Sequence, residues 1–167
     1  MSIVIRPYSA IDIPMIRNIF HNAVHGVGIR YYTSEQVAAW APPIDEQTPT
    51  QMEIELQRWQ QKLDGHLTYV AEIDGVVVGF ADMTQDGYLD HVYVFQNHQA
   101  KGIAYRLFKQ LECIAKERGL TKITTHASKM AVPLAQRMGF VLIAEETVYR
   151  HGVAIQRYEM EKNYDEG

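Results

Sequence analysis

Six consecutive positions near the middle of the chain, Gln99-x-x-Gly102-x-Ala104, have the types and spacing of an anion-binding turn. Before them runs Tyr88 to Val94, rich in β-branched and aromatic residues. After them apolar residues recur at Ile103, Leu107, Leu111 and Ile114, the three-and-four spacing of one helix face. A turn that enters a helix exposes backbone N–H groups with no intrahelical partner, and the helix dipole adds positive potential there. Phosphate is the usual ligand of such a site. Gly102 permits close backbone approach, Ala104 is the smallest side chain that favours helix, and Lys101 adds a mobile positive charge. An ordinary strand-to-helix connection with one glycine would look the same locally. Neither a Gly-Lys-Ser/Thr ending nor a G-x-G-x-x-G run is present, so a Walker loop and a dinucleotide fingerprint are both excluded.

Other residues with chemical capacity carry weaker patterns. His21 and His25 stand four apart at the end of a helical pattern, without the glutamate or third ligand of a metal motif, and read as a favourable pair at a helix C-terminus. The one cysteine, Cys113, has no disulfide partner in the chain and reads as a buried structural thiol in the long helix. A metal-dependent hydrolase would need clustered ligands, which the spacing of the seven histidines does not show.

The elements that must position these residues follow in order. Ile3 to Arg6 reads as a first strand ended by Pro7. A helix over Ser9 to Val24 carries Ile13, Ile16, Phe20 and Ala23, with Pro14 in its first turn. Gly26 and Gly28 break it. Thr33-x-x-Gln36 is a capping box for a short helix bearing Val37 and Trp40, ended by Pro42-Pro43. Ala41 to Pro49 is a polar loop, and Thr50-x-x-Glu53 caps a further helix with Met52, Leu56, Trp59 and Leu63 as its core stripe. Leu67 to Ile73 alternates, Asp74-Gly75 turns the chain, and Val76, Val78 and Phe80 return it, with Gly79 as a candidate bulge. Asp86-Gly87 leads into the central strand, and Gly119 ends the long helix. Lys122 to Ala127 is another strand, Met130 to Met138 a short helix, and Val141 to Tyr149 with Val153 to Met160 a hairpin around His151-Gly152.

At 167 residues the expectation is one domain spanning 1–167, with its core at about 3–162. With 47% hydrophobic and 22% charged residues the composition is that of a globular protein, and the net charge of -4 suggests no general attraction to nucleic acid. No signal peptide or membrane-spanning run is read, so a cytoplasmic location without membrane association is expected.

The turn resembles motif A of the GNAT superfamily, the acetyl-CoA-dependent N-acetyltransferases, whose pattern Gln/Arg-x-x-Gly-x-Gly/Ala is met by Gln99, Gly102 and Ala104. Val94 lies five residues before Gln99, as the family's strand-ending valine does, and Met138-Gly139-Phe140 matches the segment that opens its next-to-last strand. Tyr32-Thr33-x-x-Gln36-x-x-Ala39-Trp40 and Ala127-Ser128-x-x-Ala131-x-Pro133 are similar to a little-characterised bacterial subgroup, with Leu134-Ala135 replacing two aromatic residues.

The resemblance implies an α/β fold of the GNAT type: a mixed central sheet of about seven strands, helices on both faces, and a splay between the central strand and the next. It implies that acetyl-CoA is the co-substrate. Its pantetheine arm would lie on Val92, Tyr93 and Val94, its pyrophosphate on Gln99, Ala100, Lys101, Gly102, Ile103 and Ala104, and Ser128 would stand at a further cofactor contact. The reaction implied is direct attack of a primary amine on the thioester, aided by a base, by a backbone N–H for the oxyanion, and by a thiol that leaves readily. Asp90 is the candidate catalytic base. His91 has the better intrinsic basicity but, in a regular strand, points to the other face, and His126 ends the neighbouring strand. The family's usual tyrosine acid falls at Ala135, so no acid carries over; Tyr149, Tyr31, Tyr32, Ser128 or water could take its place. Tyr31 and Tyr32 line an acceptor pocket or pack a loop. The acceptor is a small-molecule or protein amine, with negative net charge leaning to a cationic one; the assembly is a monomer or a homodimer. The competing reading is a non-catalytic acyl-CoA-binding or sensing module. No metal is expected.

Overall fold

The computed structural model describes residues 2–99 and 101–164. Seven strands form one sheet in the order β1-β2-β3-β4-β5-β7-β6. They are β1 Ile3–Pro7, β2 Leu67–Ile73, β3 Val76–Met83, β4 Tyr88–Val94, β5 Lys122–Ala127, β6 Val141–Arg150 and β7 Val153–Asn163. Among the described residues the α-helices are α1 Ile13–Gly26, α2 Ser34–Trp40, α3 Pro49–Asp64, α4 Ile103–Glu117 and α5 Val132–Arg137. All strand pairs are antiparallel except β4 with β5. This is the mixed sheet expected from the sequence.

Side-chain alternation sends the sheet's apolar residues into two cores. One packs Ala71, Ile73, Ala81 and Met83 against Leu107, Phe108 and Leu111 of α4. The other packs Val70, Val77 and Phe80 against Ile16, Ile19, Phe20 and Val24 of α1, with Val37 of α2 and Leu63 of α3. The phase of β3 changes between Val77 and Gly79, where one extra residue makes a bulge opposite Ala71 and Glu72. Gly79 beside it is closely packed: a Cβ there would come within 3.1 Å of the Tyr93 carbonyl oxygen.

Three local expectations change. The cap of α3 is Thr48 with Gln51, not Thr50 with Glu53: Pro49 takes the first helical position, and Thr48 Oγ1 accepts the Gln51 N–H at 3.1 Å. Met52 is therefore exposed, and Leu63 is the fully buried residue of the α3 stripe. The buried face of α4 continues through Leu111, Glu112 and Ala115 rather than Ile114, which leaves Cys113 exposed. The first helix begins as a 3-10 turn over Ala10–Asp12 and continues to Gly26.

Candidate functional site

Strands β4 and β5 pair only at Tyr88 with Thr124 and Leu89 with Thr125, and then part. Thr125 Oγ1 closes the paired end by donating to the Leu89 carbonyl at 2.7 Å. On its other edge β4 stays bonded to β3 through Val94. Phe95 N–H donates to the Val78 carbonyl at 2.9 Å, so Phe95, and by alternation Tyr93, direct their backbone groups towards β3. The backbone of Val92 and Val94 then faces the gap. A narrow cavity of about 60 Å³ occupies that gap, lined by β4, the end of β5 and Leu134, Ala135, Met138 and Phe140.

Below the gap lies the turn into α4. Gly102 is the N-cap and adopts the left-handed conformation, φ 76°, with open space where a Cβ would stand. Glycine is required there by conformation rather than by crowding. No side chain caps the first turn of α4, and that turn holds no acidic residue. Lys101 is exposed, with Nζ 3.4 Å from His98 Nδ1, and Gln99 Nε2 is 3.5 Å from the Val94 carbonyl oxygen. Ile103 is buried in the core beneath, and Ala100 lies outside the described residues. The expected anion-binding residues thus follow directly on the strand that borders the gap. Unpaired strand backbone, an uncapped helix start and an open turn fit an extended, phosphate-bearing amide arm.

A larger cavity, about 370 Å³, opens on the α1 and α3 side of the sheet. Phe20, Trp40, Trp59 and Tyr93 give it aromatic walls; Phe20 meets Trp59 and Tyr93 edge-on at ring-centre distances of 5.4 and 5.3 Å. Tyr32 reaches it from the chain before α2. Its hydroxyl donates to the Gln156 carbonyl at 2.8 Å and accepts the Lys129 N–H at 2.8 Å, while Tyr31 is exposed outside the lining.

Both cavities are lined by Asp90, His91, Tyr93, His126 and Ser128. The expectation that Asp90 and His91 point to opposite faces is corrected here. Asp82 pairs with His91 and Met83 with Leu89, so Asp90 is the extra residue of a β-bulge. The bulge turns both side chains to the same face and brings Asp90 Oδ2 within 3.8 Å of His91 Nδ1. Asp90 Oδ2 is also 3.5 Å from Lys62 Nζ.

Asp82 was not anticipated as a functional residue. Its side chain is fully buried, with one oxygen 2.8 Å from His91 Nδ1 and the other 2.7 Å from His66 Nδ1. Burial alone would raise the Asp82 pKa, but the two imidazoles outweigh it and hold the carboxyl below its usual range. Burial likewise opposes the charged form of His91, yet Asp82 prevails and raises its pKa. With Nδ1 committed to Asp82, His91 Nε2 has no protein partner among the described residues and is not sealed from solvent. The sequence signal was a lone carboxylate inside the apolar run Val76 to Met83, which folding can bury only with partners.

A second relay crosses the seam. Tyr88 Oη is 2.8 Å from His126 Nδ1, and His126 Nε2 is 3.1 Å from Glu146, which also accepts from Arg157 at 3.2 Å. Ser128 Oγ is buried without a hydrogen-bond partner. Ala135, at 8% exposure, lines the narrow cavity and presents no hydroxyl. The fold assembles potential ligand trios that spacing did not reveal, His66 with Asp82 and Asp90, and His126 with Glu146 and Glu159. His66 with Asp82 and His126 with Glu146 are already hydrogen-bonded. His21 and His25 are structural: His21 Nε2 meets Glu55 at 3.0 Å and His25 Nε2 meets the Ala41 carbonyl at 2.6 Å. Among the described residues no helix is long and apolar enough to cross a membrane.

Comparison with known proteins accords with this geometry. Residues 29–162 match the model of the acetyltransferase (GNAT) domain. An uncharacterized N-acetyltransferase of Escherichia coli K12, YafP, is 30% identical over 159 residues, covering 95% of each chain. A solved GCN5-related N-acetyltransferase from Rhodopseudomonas palustris superposes with a TM-score of 0.87 at 27% identity, over 98% of this chain and 96% of that one. At the level of fold, yncA of Salmonella typhimurium, a putative acetyltransferase solved with acetyl-CoA, superposes with a TM-score of 0.69 at 22% identity, over 100% and 96% of the two chains.

Proposed function

The chain belongs to the GNAT acetyltransferase family, and from that premise we propose that it transfers the acetyl group of acetyl-CoA to a primary amine, with His91 as the general base. The observation that carries this reading is the seam. The cavity suited to the cofactor arm and the cavity suited to an acceptor share one wall, and a histidine oriented by a buried carboxylate stands in it.

When bound, acetyl-CoA supplies an activated acetyl thioester. Val92 and Val94 would pair their backbone with the amide arm, and the turn at Gln99, Lys101, Gly102, Ile103 and Ala104 would hold the pyrophosphate. Ser128, whose buried hydroxyl has no partner, lines both cavities. An ammonium acceptor has a pKa near ~10 and must lose a proton before it can attack. Asp82 fixes the tautomer of His91 with Nδ1 protonated, leaving Nε2 as the acceptor of that proton, and its negative charge makes the imidazole a stronger base. Asp90 is the second candidate base. Its contacts with Lys62 and His91 suit it to holding the incoming ammonium beside the imidazole.

The test is calorimetry with acetyl-CoA, followed by free-thiol release with a panel of amines for wild type, His91→Gln and Asp90→Asn. Saturable binding with amine-dependent release that His91→Gln lowers at least a hundredfold supports the reading. Release that Asp90→Asn abolishes while His91→Gln does not would return the role to Asp90. A non-catalytic acyl-CoA sensor is favoured by Ala135, which removes the family's usual acid from the narrow cavity. It predicts binding without release.

A further inference from the structure

The acceptor side of the site has a charge opposite to that of the whole protein. Net charge is -4, yet Arg58, Lys62, Arg150 and Arg157 converge on the larger cavity against two carboxylates, Glu55 and Asp90. Those carboxylates are occupied. Glu55 is bound by Arg17 at 2.7 Å and His21 at 3.0 Å, and Asp90 faces Lys62 at 3.5 Å. Arg157 is held by Glu146 at 3.2 Å. That leaves Arg58 and Arg150, which form no ion pair among the described residues; Arg150 only donates to its neighbour's carbonyl, at Tyr149, 3.3 Å away. Both guanidiniums are exposed, yet both line the cavity beside its aromatic rings without a carboxylate partner.

We infer that the acceptor amine also carries an oxyanion group, a carboxylate or a phosphonate, on a flat apolar body. The inference rests on the transferase reading, which makes this cavity the acceptor side. Guanidinium presents a planar fork of donors that matches either anion, and a charged acceptor strengthens each hydrogen bond. The rings of Phe20 and Trp59 would cover the apolar part. The volume of about 370 Å³ suits a small molecule. A net positive cavity also disfavours a purely cationic acceptor such as a polyamine, so the lean drawn from net charge does not carry to the site. The free anion would occupy Arg58 and Arg150 while the amine lies towards His91 and Asp90, whose carboxylate is shared only with the half-exposed Lys62 at 3.5 Å.

The experiment uses the full chain with saturating CoA. Calorimetry compares 3-phenylpropanoate and 2-phenylethylphosphonate with the isosteric 3-phenylpropanamide, for wild type and for Arg58→Met with Arg150→Met. The acids are expected to bind about tenfold to a hundredfold more tightly than the amide, with that difference lost in the double variant. The stronger of the two acids identifies which oxyanion the site takes. The CoA dissociation constant should not move, and the melting temperature, governed by neither exposed side chain, checks the fold. Equal or tighter binding of the amide, no binding of either acid, or a weakened CoA affinity in the double variant overturns the inference; the last result would assign the arginines to the cofactor. Absence of CoA binding by the wild-type protein would instead sink the transferase reading, and binding of the acids alone would then leave an oxyanion site without it.

Discussion

Asp82 Oδ1 lies 2.8 Å from His91 Nδ1, and the Asp82 side chain is entirely excluded from solvent. The pair joins two adjacent antiparallel strands at the point where β4 bulges, so the same irregularity that exposes Asp90 also aims His91 at its carboxylate. Removing the charge while keeping the shape tests what the pair does. Asp82→Asn should lower the pKa of His91, since Asp82 is what raises it against burial. A base acts in its neutral form, so activity climbs with pH through that pKa. The rising limb should therefore move to lower pH in Asp82→Asn. The maximal rate should fall by about 10² or more as the imidazole loses orientation and basicity. A limb that stays in place would show that another group carries the proton.

Ser128→Ala should separate folding from binding. Ser128 Oγ is buried with no partner, a state that costs about 1–3 kcal/mol when a polar atom is left unsatisfied. Deleting it should raise or preserve the melting temperature of the free protein. If the hydroxyl serves the cofactor, the same change should raise the KM for acetyl-CoA several-fold. A stability loss above about 1 kcal/mol with unchanged KM would make Ser128 a packing residue.

At Gly102 the two costs differ in kind. A Cβ would touch nothing within 4 Å, but the residue sits at φ 76°. Gly102→Ala should therefore cost only the left-handed strain, about 1–2 kcal/mol, read from chemical denaturation. Gly102→Glu adds a negative charge where the turn is expected to meet pyrophosphate, and should weaken CoA at least tenfold beyond the alanine variant in calorimetry. Equal CoA affinities in the two variants would remove the turn from the phosphate site.

Much of this was legible in the chain because it rests on local rules. Asp74-Gly75 turns with φ of 52° and 82°, as a tight hairpin demands, and Thr33 with Gln36 forms the reciprocal cap read from their spacing. The helix from Ile103 followed from one strand-turn-helix pattern, and the parallel pairing within a mixed sheet from the family resemblance that pattern carries. The face on which the candidate site residues lie was not legible, since it depends on register. Strict alternation puts His91 opposite Asp90, and only the bulge, set by pairing with β3, reverses that. The adjacent polar pair Asp90-His91 in an apolar strand was the trace of it. Residues distant in sequence were hidden for the same reason: His66 meets Asp82, and Arg58 and Arg150 come to line one cavity, only when the sheet is assembled. Cys113 was misplaced because Ile114 was put on the core face that Glu112 occupies.

Glu112 is the buried charge that fastens α4 to the end of the sheet. It is 2% exposed, with Lys109 Nζ at 2.7 Å, Lys162 Nζ at 2.6 Å and Tyr164 Oη at 2.5 Å. Burial opposes its ionisation, but these donors overcome it and hold the carboxyl down to about 2. The unfolded chain returns it to near ~4.3. A pKa lowered on folding stabilises the protein fully above the unfolded value, and that contribution drains away as pH falls from about 4.3 towards the folded pKa near 2. Glu112→Gln should consequently destabilise the protein at pH 7 by about 1–3 kcal/mol, because a buried carboxylate gives up its charge-assisted hydrogen bonds to Lys162 and Tyr164. The difference from wild type should shrink steadily in denaturation series taken from pH 5 to pH 3. A cost that is the same at both ends of that range would mean that packing of the side chain, not its charge, holds α4 to β7.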